Sequence, residues 1–206
     1  GERSAQIDHS VYDMRERLKF VVTGLMEYES LIDDGLFRHH SSMLTINEMK
    51  IAATASTPIR STVGQTNKST LIIPLAGRGD LIANGNKLQW QASKSAVFLP
   101  NCGGSSQSTT RSILMIDLDP KKLESVAMNM MGLRYRSVPL LSLDHPKEVN
   151  LQVGRISFEA IFRELANLLD QYCLHPELLN HSGMEDSIYR NIAMMLEPKL
   201  FLDAST

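Results

Sequence analysis

Residues 70–119 constrain the fold more than any other part of the chain. They contain short runs of Leu, Ile, Val, Phe and Trp, separated by clusters of Gly, Asn, Ser and Pro. This spacing is typical of antiparallel strands joined by tight turns. We predict strands at 70–75, 80–83, 87–91, 96–99 and 112–118. The second and third of these strands enclose Asn84-Gly85-Asn86, whose residues tolerate a positive φ and therefore favour a hairpin.

Apolar and polar residues alternate within this hairpin. Leu81 and Ala83 on its first strand, and Leu88 and Trp90 on its second, are predicted to share one buried face. The run 113–116 is instead apolar at every position. Such a run indicates a central strand that is covered on both faces.

The last of these strands leads into a predicted helix. Asp119 can cap the helix, Pro120 suits its first position, and Gly132 can end it. Two more amphipathic helices are predicted towards the C terminus, at about 155–172 and 184–196, joined by an irregular linker. The apolar stripe of the first of them contains Phe158, Ile161, Phe162, Leu165, Leu168, Leu169 and Tyr172.

The ordered series IPLAGRGDLIANGNKLQW, AVFLPN and ILMIDLDPKKLESVAMNMMG resembles the sensor half of AraC-type transcription regulators, in the variant called the AraC-binding-like domain. The resemblance covers roughly residues 40–200. It implies an α+β fold, in which a cupin-like antiparallel β-barrel is followed by C-terminal α-helices that dimerise. In that family a separate C-terminal pair of helix-turn-helix modules binds DNA, and we expect this domain to lie outside the present sequence.

We expect three regions in the chain. An N-terminal extension with a helix occupies 1–35, the cupin-like β-barrel occupies 36–119, and a helical dimerisation region occupies 120–203. The expected partners are a second copy of the chain, a small-molecule effector, and DNA only through the C-terminal domain. The apolar stripe of the helix at 155–172 is the predicted dimer interface, because it is broader than one face of a small barrel needs.

Trp90 is the leading candidate for a ligand contact inside the barrel. It offers a flat apolar wall with one N–H donor, although it can equally serve as the central core residue. Arg60 and Arg78 are candidate partners for a ligand carboxylate. By alternation alone, the remaining lining candidates are Leu81, Ala83, Leu88 and Phe98.

Metal and catalytic sites find little support in the sequence. No histidine occurs between His40 and His145, and Asn101-Cys102 stands where a metal-binding cupin would offer its later histidine. Three ligands with an open position are what metal catalysis requires. We therefore expect no metal, no cofactor and no enzymatic activity. The alternatives are a small cupin enzyme, such as an isomerase or a dioxygenase, and a stand-alone interaction protein.

Charge and composition limit the class of protein further. The 206 residues carry a net charge of −2, without the basic balance of an isolated DNA-binding domain. Two cysteines are too few for a disulfide framework, and the apolar runs are too short to cross a membrane. These features favour a cytoplasmic protein.

Overall fold

The chain is a curled antiparallel sheet with helices on one side. The computed structural model describes residues 6–8, 10–18, 24–132, 140–172 and 175–202. The strands are β1 (Gln6–Asp8), β2 (Leu25–Ser30), β3 (His39–Ile46), β4 (Met49–Ser56), β5 (Ile59–Val63), β6 (Ser69–Ala76), β7 (Arg78–Ala83), β8 (Asn86–Gln91), β9 (Ser95–Leu99), β10 (Gly104–Ser108), β11 (Arg111–Leu118), β12 (Lys147–Asn150), β13 (Gln152–Val153) and β14 (Ile156–Ser157). The helices are α1 (Val11–Leu18), α2 (Pro120–Met130), α3 (Phe158–Tyr172), α4 (Pro176–His181), α5 (Met184–Leu196) and α6 (Pro198–Leu202).

The main sheet has the strand order β1-β3-β4-β11-β6-β9-β8-β7-β10-β5-β2, and β12 is added beside β9. It curls into an incomplete barrel, so that β2 and β5 at one end approach β6 and β11 in its middle. β13 and β14 form a separate small hairpin. The predicted fold class, a cupin-like antiparallel barrel followed by C-terminal helices, is confirmed.

The predicted hairpin is formed by β7 and β8. Its turn places Asn84 at φ 49° and Gly85 at φ 76°, in the left-handed region that asparagine and glycine tolerate. Leu81 lies opposite Leu88 in the ladder. The alternating burial of the two strands agrees with the sequence pattern.

β11 is a central strand, flanked by β4 and β6. Its two faces belong to different clusters of apolar side chains. Leu114 and Ile116 pack towards the helices, whereas Ile113 and Met115 pack inside the barrel. The prediction that both faces of this strand are covered is confirmed.

The helix that follows β11 begins as predicted. The Asp119 side chain accepts hydrogen bonds from the backbone N–H groups of Lys121 at 2.8 Å and Lys122 at 3.4 Å, and Pro120 occupies the first turn. Gly132, at φ 67°, follows the last turn. The predicted limits of the later helix agree with α5, which spans Met184–Leu196.

Three features differ from the predictions. β10 was not expected, because its sequence GSSQS has no apolar residue to signal a strand. The linker was predicted to be irregular, but it contains α4. Pro176 occupies the first turn of this helix, where proline is favourable. The sheet also exceeds the predicted barrel limits of 36–119, since β2 pairs with β5 and β12 pairs with β9.

Residues 19–23, within the expected N-terminal extension, and residues 133–139, after α2, lie outside the described part of the chain. Within the described part of the chain, no helix has the length and hydrophobicity needed to cross a bilayer.

Candidate functional site

A cavity lies inside the barrel, with a volume of about 90 Å³. Since one water molecule needs roughly 10–15 Å³ of this space, the cavity has room for several water-sized groups. Its wall is made by residues from α1, β2, β5, β6, β7, β8, β9, β10 and β11 and from two loops. Strands from distant parts of the sequence therefore meet around one small space.

One face of β11 supplies a row of side chains along this wall. Alternate residues of a strand point to the same side. Arg111, Ile113, Met115 and Asp117 all line the cavity. The row thus begins with a guanidinium, continues with two apolar side chains and ends with a carboxyl group.

Arg111 and Tyr28 form the polar end of the cavity next to the N-terminal half of β11. Tyr28 is 5% exposed. Burial raises the pKa of the Tyr28 hydroxyl, and the positive charge of the nearby Arg111 guanidinium opposes this rise. The hydroxyl therefore keeps its proton at neutral pH. It also lies 3.4 Å from Nδ1 of His39.

Asp117 lies at the opposite end of the row. Thr70, its neighbour across the strand pair, donates a hydrogen bond of 3.3 Å to the Asp117 carboxyl. Burial raises the pKa of this carboxyl group, while the hydrogen bond from Thr70 and the positive charge of Lys68 partly oppose the rise. Lys68 also donates a hydrogen bond to the backbone carbonyl of Glu48 in the turn between β3 and β4, at 2.9 Å.

Trp90 forms an apolar wall of the cavity and is 2% exposed. Gly79 lies opposite it across the β7–β8 ladder. A methyl group on Gly79 would overlap the indole ring, so the glycine provides the space that the ring occupies. Leu81 lines the cavity beside Trp90. Both residues were predicted at this site from alternation.

The other predicted lining residues lie elsewhere. Ala83 and Leu88 are buried in the apolar cluster that contains Trp90, but they do not line the cavity. Phe98 faces the opposite side of the sheet and packs in the core beneath the helices. Neighbouring residues of a strand face opposite sides of the sheet, so Val97, and not Phe98, packs in the cluster that contains Trp90.

Arg60 and Arg78 also lie away from the cavity wall and are exposed. The Arg60 guanidinium lies 3.7 Å from the carboxylate of Glu29 on β2. The arginine that does line the cavity is Arg111, which alternation along β11 would have placed beside Ile113. Residues 113–116 are all apolar, so the two-residue alternation of this strand could not be recognised in the sequence.

The side chains inside the described regions include no group of three or more His, Cys, Asp or Glu residues placed to hold a metal ion. His39 lies in β3, stacked on the ring of Phe37. Cys102 lines the cavity, and burial raises the pKa of its thiol. At neutral pH the thiol is therefore protonated and a weak nucleophile.

The predicted dimer stripe on α3 is partly used within the monomer. Phe158, Phe162, Leu165 and Leu169 are buried in the core between the helices and the sheet. This burial corrects the predicted extent of the interface, because these four side chains already pack against the chain's own barrel. The remaining residues of the stripe are Ile161 and Tyr172, which are partly buried, and Leu168, which is 48% exposed.

A polar cluster joins the helices to the barrel. Glu185 of α5 is 8% exposed, and its carboxylate accepts hydrogen bonds of 2.6 Å from Lys122 of α2 and 2.6 Å from Asn47 in the β3–β4 turn. The backbone N–H of Asn47 in turn donates to the side chain of Asn180 at 3.0 Å. Helices α2, α4 and α5 are thus tied to one turn of the sheet.

Comparison with solved structures gives the same architecture over almost the whole chain. The AraC-like transcriptional activator CuxR matches with a TM-score of 0.63 over 93% of this chain and 69% of the CuxR chain, at 8% sequence identity. The chain has the fold of this activator. The resemblance to AraC-type sensor domains that the sequence indicated is therefore confirmed in its fold.

Two further solved structures match about half of the chain. A cupin-like protein from Thermotoga maritima gives a TM-score of 0.36 at 11% identity, over 48% of this chain and 75% of its own. An oxalate decarboxylase variant from Bacillus subtilis gives 0.34 at 10% identity, over 46% of this chain and 33% of its own. No protein-family model and no curated protein matches the sequence.

Proposed function

We propose that this chain is the effector-sensing and dimerisation domain of an AraC-type transcription regulator. The observation that carries the proposal is the cavity inside the barrel, in a fold that the chain shares with an AraC-like activator. DNA would be bound by a C-terminal helix-turn-helix domain outside this sequence. In this role the protein acts in the cytoplasm and uses no cofactor.

The position of β11 supports a link between effector and helices. One face of this strand lines the cavity and the other packs beneath the helices. Lys68 adds a second link, because it lines the cavity and also bonds to the β3–β4 turn that holds Glu185. An effector that binds two arrangements of these contacts with different affinity would shift the population between them.

The dimer is proposed to form through the part of α3 that the monomer leaves accessible. Ile161, Leu168 and Tyr172 follow the helical repeat at intervals of seven and four residues and so lie along one side of α3. This stripe is narrower than the one predicted from the sequence. It places a leucine that is 48% exposed at its centre.

A repressor fusion tests the proposed function directly. Residues 1–206 are joined to a helix-turn-helix domain that represses a reporter gene only when it dimerises. We expect the fusion to repress, and Leu168→Asp to abolish repression, because a buried charge would oppose pairing of the two helices. The matched control is Leu36→Asp, which changes a leucine that is 62% exposed and lies outside α3.

Ultracentrifugation of the isolated chain provides the second readout. We expect a dimer for the unchanged protein and a monomer of 23.0 kDa for Leu168→Asp. A clean monomer for the unchanged protein, together with a fusion that fails to repress, would contradict the proposal.

The alternative of a small cupin enzyme is not favoured. CuxR, whose structure matches over 93% of the chain, is an AraC-like transcriptional activator. Elemental analysis of the purified protein discriminates between the two functions, since a metal-dependent cupin would carry near one Fe, Mn, Ni or Zn per chain.

A further inference from the structure

The Arg111 guanidinium is a partly buried charge that forms no ion pair with a carboxylate among the described side chains. None of the ion pairs formed there includes Arg111. Its Nε is buried and has no hydrogen-bond acceptor among the described residues. A guanidinium is costly to remove from water unless its donors are satisfied. An anion in the cavity would supply acceptors where they are missing.

The chemistry around Arg111 favours a carboxylate. Arginine presents its N–H donors as a planar fork that matches the two oxygens of a carboxylate. The Tyr28 hydroxyl, which lines the same cavity near Arg111, is a second potential donor at this end. Asp8 lies close enough to raise the pKa of Tyr28, but it does not line the cavity.

The number of positive charges at this end argues for a single negative charge on the ligand. The other cation that lines the cavity is Lys68, which lies beside Asp117 at the far end of β11. A phosphate dianion at the Arg111 end would therefore meet one full positive charge only. The single positive charge of Arg111 matches the single negative charge of a monocarboxylate.

Between Arg111 and Asp117, one side of the wall is apolar, while Ser61, Ser106, Thr66 and Thr70 also line the cavity. Leu81, Trp90, Ile72, Ile113 and Met115 form the apolar side. Since the volume is about 90 Å³, the apolar part of a ligand must be short or a single ring.

We propose that the cavity binds a small monocarboxylate with an apolar body, whose carboxylate is held by Arg111 and Tyr28 and whose body lies against Trp90. This inference rests on the proposed role of the cavity as the effector site, and it names the class of effector. No covalent step is involved.

The protein contains its own probe for this experiment, because Trp90 is its single tryptophan. The emission of Trp90 is followed while sodium hexanoate is added, and hexanamide is used as the neutral analogue of the same shape. We expect hexanoate to change the emission with saturation and to bind at least about tenfold more tightly than hexanamide, as expected for a hydrogen bond to a charged group. Inorganic phosphate is expected to produce no saturating change.

Variants of Arg111 locate the carboxylate. Arg111→Gln is expected to raise the dissociation constant of hexanoate about tenfold or more, and Arg111→Lys to raise it less, because it keeps the charge but loses the fork. Arg78→Gln is the matched control, since it removes an exposed arginine away from the cavity and should leave the constant unchanged. Circular dichroism checks that each variant is folded. If Arg111→Gln does not fold, Arg111→Lys and the comparison with hexanamide still test whether Arg111 binds the carboxylate.

Three outcomes would overturn the inference. Equal affinity for hexanamide and hexanoate would show that the cavity binds apolar molecules without regard to charge, and the effector role would then remain with another ligand class. Unchanged hexanoate affinity in both Arg111 variants would place the carboxylate elsewhere. No response of Trp90 to either probe would reject the ligand class, while the repressor fusion would still decide the regulatory function.

Discussion

Gly79 and Trp90 show how a single residue shapes the cavity wall. The indole ring occupies the space where a side chain on Gly79 would begin, and the backbone carbonyl of Gln107 limits that space from another side. We expect Gly79→Ala to lower the free energy of unfolding by about 1–3 kcal/mol, because added atoms in a packed site force neighbours to move. Urea denaturation followed by Trp90 emission measures the loss.

The matched control for this change is Gly35→Ala. An added methyl group at Gly35 meets no atom within 4 Å. We expect its free energy of unfolding to stay within about 0.5 kcal/mol of the unchanged protein. Equal stability of both variants would mean that Trp90 moves aside without cost.

Asp117 makes stability depend on pH in a direction that its burial determines. Burial raises the pKa of the Asp117 carboxyl above its ordinary value of 3.8, despite the opposing effects of Thr70 and Lys68. The folded state therefore holds the proton more tightly than the unfolded state. As pH rises through the interval between the two pKa values, the unfolded chain releases its proton first and stability falls.

Replacing Asp117 by asparagine removes this loss. We expect Asp117→Asn to be more stable than the unchanged protein at pH 7, and the difference to close as the pH falls below 3.8. Asp33→Asn, at an exposed position, is the control. Thermal unfolding measured across this pH range checks the prediction, and a difference that stays constant with pH would contradict it.

At the scale of single elements, the start of α2 depends on its cap. The Asp119 carboxylate accepts from two backbone N–H groups of the first turn. We expect Asp119→Ala to cost about 1 kcal/mol, and Asp119→Ser to cost less, because serine can still accept from the helix. Denaturation in urea distinguishes the two variants. Equal losses would assign the effect to something other than the cap.

Helix α3 has a buried and an exposed leucine one turn apart, which separates packing from surface effects. Leu165 is 9% exposed and Leu168 is 48% exposed. We expect Leu165→Ala to cost about 2–5 kcal/mol by leaving a cavity beneath the helix. Leu168→Ala should cost much less in the monomer. Equal costs, measured at a protein concentration low enough to keep the chain monomeric, would contradict the orientation of α3.

The elements that the sequence predicted share a strong local signal. The Asp119-Pro120 pair at the start of α2 and the apolar period of α5 required no knowledge of the rest of the chain. β10 has no such signal, since residues 104–108 become a strand only through pairing with β5 and β7 on either side. Tertiary pairing overrides propensity at this position.

The fold class could be predicted at the scale of the whole molecule, whereas the polar end of the cavity could not. Tyr28 and Arg111 are far apart in sequence and meet because the sheet curls. Sequence alternation placed Leu81 and Trp90 correctly but assigned Phe98 to the wrong face of β9. A period of two leaves the choice of face open until a neighbouring strand is known.

The contact between the helical layer and the barrel depends on the pair formed by Lys122 and Glu185. We expect Lys122→Met to destabilise the protein by about 1 kcal/mol, a value reduced by solvent because Lys122 is 44% exposed. Glu185→Gln in the same background should recover part of the loss, since a neutral amide no longer needs the ammonium group. Lys121→Met, at the exposed neighbouring position, is the control.

A double-mutant cycle in urea measures the coupling of this pair. We expect the cost of the double change to be smaller than the sum of the two single costs. Additive costs would show that Lys122 and Glu185 act independently, and that the helices are held by their apolar contacts alone.

The two faces of β11 divide its residues into two sets that can change separately. Positions 113, 115 and 117 decide what fits in the cavity, whereas positions 114, 116 and 118 decide how the helices sit. Because neighbouring side chains of a strand point in opposite directions, a redesign for a new ligand need not touch the helical side. Substitutions in this one strand of eight residues can therefore change ligand recognition and the packing of the helices separately.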